Sequence, residues 1–296
     1  MKRHMQKNFL ILIAAAFLVS CAVKESNNAA FSHGTKIAEL KHKKLDEVSG
    51  LASSINNPGL FWTHNDSGNG ADVFLIDQKA EVKRIYTLQG IDNRDWEDIC
   101  VGPGPDSTKN YVYVGDIGDN DASHLLKYIY RFEEPLETPG EDNVSVTDFD
   151  TIAFKLPGDE RKDAEALFID SRTNDLYIIT KNEEPVSVYQ IKYPYSTKDT
   201  ITSELVVSIP VTKIVAADLT ADGGELLMKN YSHIFYWKNP ENKSIPDLLN
   251  ERPQEVPYEA EPQGEAIAWA RDKSGFYTLS ERSKGAKSFL YFYKRK

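Results

Sequence analysis

Apolar and polar positions along this chain fall into short, strand-sized runs separated by turns, and the stretch 95–120, DWEDICVGPGPDSTKNYVYVGDIGDN, shows the unit most fully. Asp95, Glu97 and Asp98 lead into the apolar run Ile99–Val101. Pro103, Gly104, Pro105 and Asp106 make a turn, and Tyr111–Val114 is apolar on both faces, as a doubly buried strand is. Asp116, Asp119, Asn120 and Asp121 then arrive together. An antiparallel pair returns the chain to the end it left, so both acidic clusters are expected at one end of this hairpin. The same grammar recurs in the segments 46–66, 163–183, 215–230 and 263–282. Aligning the five gives Glu47, Glu97, Glu165, Asp218 and Glu265, at intervals of 50, 68, 53 and 47 residues.

Each unit continues into a third strand, at Val73–Ile76, Tyr128–Phe132, Val186–Ile191, Ile234–Trp237 and Phe289–Tyr293. A fourth follows at Val82–Leu88, Thr151–Leu156, Leu205–Ile209 and Glu255–Tyr258. Four antiparallel strands repeated at this spacing predict the blades of a β-propeller. The fifth unit runs out of chain after its third strand, whereas Thr35–Leu40 precedes the first aligned acid. That N-terminal strand is expected to complete the last blade. The expectation is therefore an all-β, five-bladed propeller over residues 35–296, with six blades as the alternative if the long second interval hides one. The Pro- and acid-rich stretch Glu133–Asn143 reads instead as an insertion within that interval. After residue 20 no helix-period pattern exceeds two turns, and there is no G-x-G-x-x-G or P-loop.

The first 20 residues change the picture of where the protein resides. Lys2, Arg3 and Lys7 precede the apolar run Phe9–Leu18, and Leu18-Val19-Ser20-Cys21 resembles the lipobox of bacterial lipoproteins. The reading is a signal peptide over 1–20, a lipidated Cys21 (an acyl chain such as palmitate) and a flexible polar tether to residue 34. Ala22 after the cysteine implies the outer membrane, so the membrane itself is an expected partner. An ordinary signal peptide with an incidental cysteine is the alternative. With Cys21 acylated, Cys100 is the only thiol, so no intrachain disulfide is expected and Cys100 reads as a small buried hydrophobe. The 296 residues carry a formal net charge of −10, and removal of the leader leaves 32 basic against 45 acidic residues. That balance excludes a nucleic-acid binder, which needs a basic stripe.

In propellers generally, the first strand of each blade lines a central channel, and loops entering first strands share a face with loops leaving second strands. The five aligned acids are thus expected around one funnel. Carboxylates about 7 Å apart at an effective dielectric of about 20 repel by about 2.4 kcal/mol per pair. Five such pairs total on the order of 10 kcal/mol, comparable to the stability of a domain. Protons, a cation or basic side chains must compensate. Ca²⁺ suits hard, flexible oxygen sites, with Glu47, Asp66, Glu97, Asp116, Glu165, Asp218 and Glu265 as ligands. Alternatively, Lys181, Lys229 and Arg282 neutralise the ring as ion pairs; beside a bound metal, those three would hold an anionic substrate. His64, with Glu97, is a candidate for activating water, against the plainer reading of a solvated strand-end histidine. Ser67 is not in a G-x-S-x-G elbow, the six histidines form no zinc pattern, and 119–121 lacks the EF-hand glycine and distal glutamate.

The elements D-E-V-S-G-L-A, H-N-D-S-G, D-W-E-D-I, G-D-I-G-D-N, D-A-E-A-L and G-E-A-I-A resemble a group of bacterial secreted propellers. These are distantly similar to phytase-like esterase propellers and to SdiA-regulated lipoproteins. The resemblance covers most of residues 36–293 and implies calcium and phosphoester hydrolysis at an acidic channel mouth, carried onto Glu47, Glu97, Glu165, Asp218 and Glu265. It commonly goes with six blades. A fold does not settle an activity. The leading expectation is a calcium-dependent hydrolase of a small anionic ester; the alternatives are a non-catalytic scaffold for a cell-envelope protein and carbohydrate-directed chemistry.

Overall fold

The computed structural model describes residues 29–296. Cys21 and residues 1–28 lie outside the described residues. Five antiparallel sheets follow one another along the chain, each with its first strand innermost. Blade 1 contains Val48–Ser53, Leu60–Asn65, Asp72–Asp77 and Val82–Leu88; blade 2 contains Trp96–Pro103, Asn110–Asp116, Lys127–Glu133 and Asp150–Lys155. Blade 3 contains Ala164–Asp170, Asp175–Thr180, Val186–Ile191 and Glu204–Ile209, and blade 4 contains Ile214–Leu219, Glu225–Asn230, Ile234–Lys238 and Gln254–Val256. Blade 5 takes Ala266–Trp269, Gly275–Leu279 and Phe289–Lys294 from the end of the chain and Thr35–Glu39 from its beginning. The first strands contact one another in a closed ring, so the molecule is a five-bladed propeller.

Near-complete burial of the inner and second strands follows from packing blade face on blade face. Five separate apolar cores result, one at each blade junction. Trp62, Trp96 and Tyr130 fill the junction of blades 1 and 2, and Cys100, free and buried, joins the next. The ordered body starts earlier than the expected boundary at residue 35. Phe31 is wholly buried between blades 4 and 5, edge-on to Tyr236 and Phe276. Ser32 donates from its amide to the Lys294 carbonyl, and Lys296 to the Ala30 carbonyl.

The long second interval holds no sixth blade. The insertion leaves the third strand of blade 2 and crosses to blade 1, where Asn143–Val146 adds a parallel strand to Val82–Leu88. Glu134 anchors the crossing. Its carboxylate accepts from Ser54 Oγ (2.6 Å), Trp62 Nε1 (2.8 Å) and the amides of Ile55 and Asn56. The device recurs. Ile201–Thr202, in the corresponding connection of blade 3, pairs with the outer strand of blade 2. In blade 4 the connection carries the short helix Ile245–Leu249, capped by Ser244, and Ile245, Leu248 and Leu249 pack into the core shared with blade 3.

Candidate functional site

The innermost strands of blades 1 to 4 each begin with a register shift, at Gly50, Glu97, Glu165 and Val215. A bulge re-aims the extra side chain, here toward the funnel. In blade 5 the equivalent position, just before Ala266, is Glu265. Three of the five aligned acids, Glu97, Glu165 and Glu265, therefore hold equivalent places and are all buried. The other two are out of register by three residues. Glu47 lies on the exposed rim, accepting from Asn69 Nδ2 at 2.7 Å. Asp218 lies deeper, where it accepts from the Trp269 amide at 2.7 Å, and burial pushes it up to about 7. An alignment that ignores the bulge slides by this amount. At Gly50 (φ 81°) a side chain is excluded, because a Cβ would stand 2.9 Å from His64 Nε2 and 3.0 Å from the backbone of Asp98.

Around the mouth, carboxylates form one continuous arc. Glu281, Glu265 and Asp66 make a group whose oxygens lie within 4.8 Å of one another; so do Asp66, Asp95 and Glu97, and so do Glu97, Asp163 and Glu165. Asp66 joins the first pair of groups and Glu97 the second. Asp95, Asp163 and Glu281 had no place in the sequence-based ligand set. A signal for two of them was present: D-x-E occurs at 95–97 and 163–165, and residues two apart on a strand share a face.

The arc is crowded enough to hold protons. Burial, then Glu165 and Asp66, pushes Glu97 well above the usual carboxylate range. Burial raises Glu165 to about 8 against the opposing pull of Lys181, and burial with Glu265 raises Glu281 to about 8. Asp95 rises to about 6 through burial, Asp66 and Asp163. Glu265 accepts from Tyr231 OH at 2.6 Å with one oxygen, while its other oxygen, Oε2, is buried without a hydrogen-bond partner. Gly118 borders this space; a Cβ there would collide with both Glu97 and Asp95.

The remaining sequence-predicted residues separate by their step along the second strand, since successive side chains point to opposite faces and every second one lies a pleat deeper. Lys181, just after the second strand of blade 3, reaches Glu165 and forms an ion pair with it. Lys229 stands two positions earlier in blade 4's register than Lys181 does in blade 3, opposite Ala216 as Ile179 is opposite Ala166. It therefore shares a face with that place, which Tyr231 holds in blade 4, but lies one pleat deeper and buried, donating to the Gly264 carbonyl beside Tyr258, with burial lowering it to about 8 and Glu261 opposing. Arg282 stands one position late and donates instead to the carbonyls of His42 (2.8 Å) and Lys43 (3.3 Å). Asp116 is outside the arc, engaged by Arg94 (3.3 Å), Tyr130 OH (3.3 Å) and the Asp95 amide. Asp119 caps the amides of Ser123 and His124. His64 is not a solvated strand-end residue. It is fully buried edge-on to Trp96, its Nδ1 against the Asn65 carbonyl, and burial lowers it to about 4, so it is neutral at pH 7.

Below the arc the channel is closed by Asp98, wholly buried. Its Oδ2 accepts from the amides of Leu167 (2.9 Å) and Ala217 (3.2 Å), and its Oδ1 from Ile99 (2.9 Å), tying blades 2, 3 and 4 together. The site is thus a blind acidic funnel whose oxygens are spaced for a cation. Against known proteins, no family model matches this chain and no curated protein matches it.

Proposed function

We propose that the funnel binds a divalent cation, Ca²⁺, and that the bound ion serves to engage an anionic group on a partner molecule. The observation that carries this is the arc itself. Two oxygens bound to one Ca²⁺ at about 2.4 Å stand no more than about 4.8 Å apart, the separation found within each of the three carboxylate groups. The unpartnered Glu265 Oε2 fits the same ion, and the lack of a side chain at Gly118 is what lets the Glu97 and Asp95 carboxylates approach there. Bound Ca²⁺ supplies Lewis-acid polarisation of an ester or phosphoester oxygen. With His64 buried, the groups of this chain able to take a proton from water are arc carboxylates, Asp95 and Glu281, raised to about 6 and about 8. Hydrolysis of a small anionic ester is the reading this supports. The scaffold reading has its own support: the Lys181 ammonium, which reaches the arc, is committed to Glu165 rather than free to hold substrate.

We also carry forward anchorage to the outer membrane through Cys21. Ala30 and Phe31 pair with the end of the third strand of blade 5, on the face opposite the funnel. An anchor there would direct the funnel away from the bilayer. Thermal unfolding with excess Ca²⁺ and with chelator tests the cation site, and a midpoint identical in both defeats it. Turnover of chromogenic esters that vanishes in Glu97→Gln, with the fold intact, is the result expected for hydrolysis. Copurification of a defined envelope partner without turnover would favour the scaffold.

A further inference from the structure

Outside the funnel, a local departure from the protein's negative charge is Lys41-His42-Lys43-Lys44, the loop between the closing strand Thr35–Glu39 and blade 1. This loop lines a cleft of 640 Å³ together with Lys83 of blade 1 and Asp142 from the blade 2 insertion. Three segments remote in sequence thus meet at one place. The cations are only partly spent. Lys43 makes no ion pair among the described residues, whereas Lys41 and Lys44 meet Glu39 and Asp72 only at 3.9 and 4.0 Å. Lys83 is committed, at 2.8 Å to Asp77. The loop is held in place rather than free: Arg282 grips the His42 and Lys43 carbonyls, the Lys44 carbonyl accepts from Asn65, and the His42 ring stands edge-on to Phe74. His42 lines the cleft, and its Nδ1 is buried with no hydrogen-bond partner.

We propose that this cleft is a phosphate-binding site, with Lys43, Lys44 and His42 contacting the anion and Arg282 acting as a positioning residue that shapes the loop. Clustered ammonium groups with spare donors suit a phosphate oxygen triad, and their field weakens with salt. The site is independent of the cation funnel. The phosphate comes either as a free ion or as a lipid headgroup, the chemistry being the same.

The test uses the full-length protein with Cys21→Ser, so that no acyl chain binds the vesicles, in chelator, so that no funnel cation contributes. Inorganic phosphate is titrated calorimetrically, and sedimentation is measured with phosphatidylglycerol and with phosphatidylcholine vesicles. The expected result is saturable binding at low salt that weakens at least tenfold in Lys43→Glu/Lys44→Glu, both exposed positions. Binding of phosphate in solution identifies a free anion; binding only to phosphatidylglycerol vesicles identifies a headgroup. Binding to neither, binding unchanged by the double substitution, or equal binding to phosphatidylcholine overturns the proposal. Failure here with Ca²⁺ stabilisation intact leaves the funnel reading standing.

Discussion

Glu97 belongs to two of the three carboxylate groups, so its substitution separates the charge from its use. Glu97→Gln removes a buried, crowded carboxyl whose proton must be held as pH rises. In chelator near pH 8 the variant is expected to gain about 1 kcal/mol, about 2–4 °C in midpoint, while losing the Ca²⁺-induced shift. The native arc has a signed pH dependence. Asp95, Glu165 and Glu281 have folded values of about 6, 8 and 8, each raised above the unfolded carboxylate. Their contribution to stability is full below about pH 4 and is lost as pH climbs through those values. Metal-free protein is expected to melt progressively lower from about pH 5 to about pH 8, and saturating Ca²⁺ to flatten that slope. A rising midpoint over the same range in chelator contradicts the arrangement. At this scale Glu97, Glu165, Glu265, Asp66 and Lys181 were legible from the repeat. Lys229 and Arg282 were not: Lys229 stands two residues too deep and Arg282 one residue late, and sequence spacing alone does not show which step the bulge consumes.

Single elements carry the closure of the ring. Phe31 is the anchor by which the start of the chain enters the junction of blades 4 and 5. Phe31→Ala leaves an aromatic-sized void and is expected to cost about 3–5 kcal/mol in denaturant unfolding, with Ca²⁺ binding to the folded fraction unchanged. Glu134 holds the insertion on blade 1 by four hydrogen bonds. Glu134→Ala strands the buried Trp62 indole N–H and the Ser54 hydroxyl, and a loss of about 3 kcal/mol is expected by the same measurement. The strands and the insertion could be read in advance, since alternation of apolar residues and clusters of Pro, Gly and Asp are local signals. The crossing of the insertion to the preceding blade could not, since a four-residue strand such as Asn143–Val146 has no periodicity to distinguish it from loop.

For the molecule as a whole, the buried Asp98 carboxylate is the tie across the axis, serving amides in three blades. Asp98→Ala strands those amides and is expected to lower the unfolding midpoint more than Glu97→Gln changes it, and in the opposite direction. The sequence by itself determined an all-β chain, five repeated units and a last blade shared between the two ends. Those follow from strand period, repeat length and a missing fourth strand, each a property of neighbouring residues. Only the tertiary structure decided which acids meet. Asp66, Asp95, Asp163 and Glu281 join Glu97, Glu165 and Glu265 because bulges turn particular residues toward the axis and ring closure brings blade 5 against blade 1. Glu47 and Asp218 carry the same charge but stand three residues along their strands, on the rim and down the channel. A cation takes oxygens only at about 2.4 Å, so a displacement of that size decides whether a carboxylate belongs to the site.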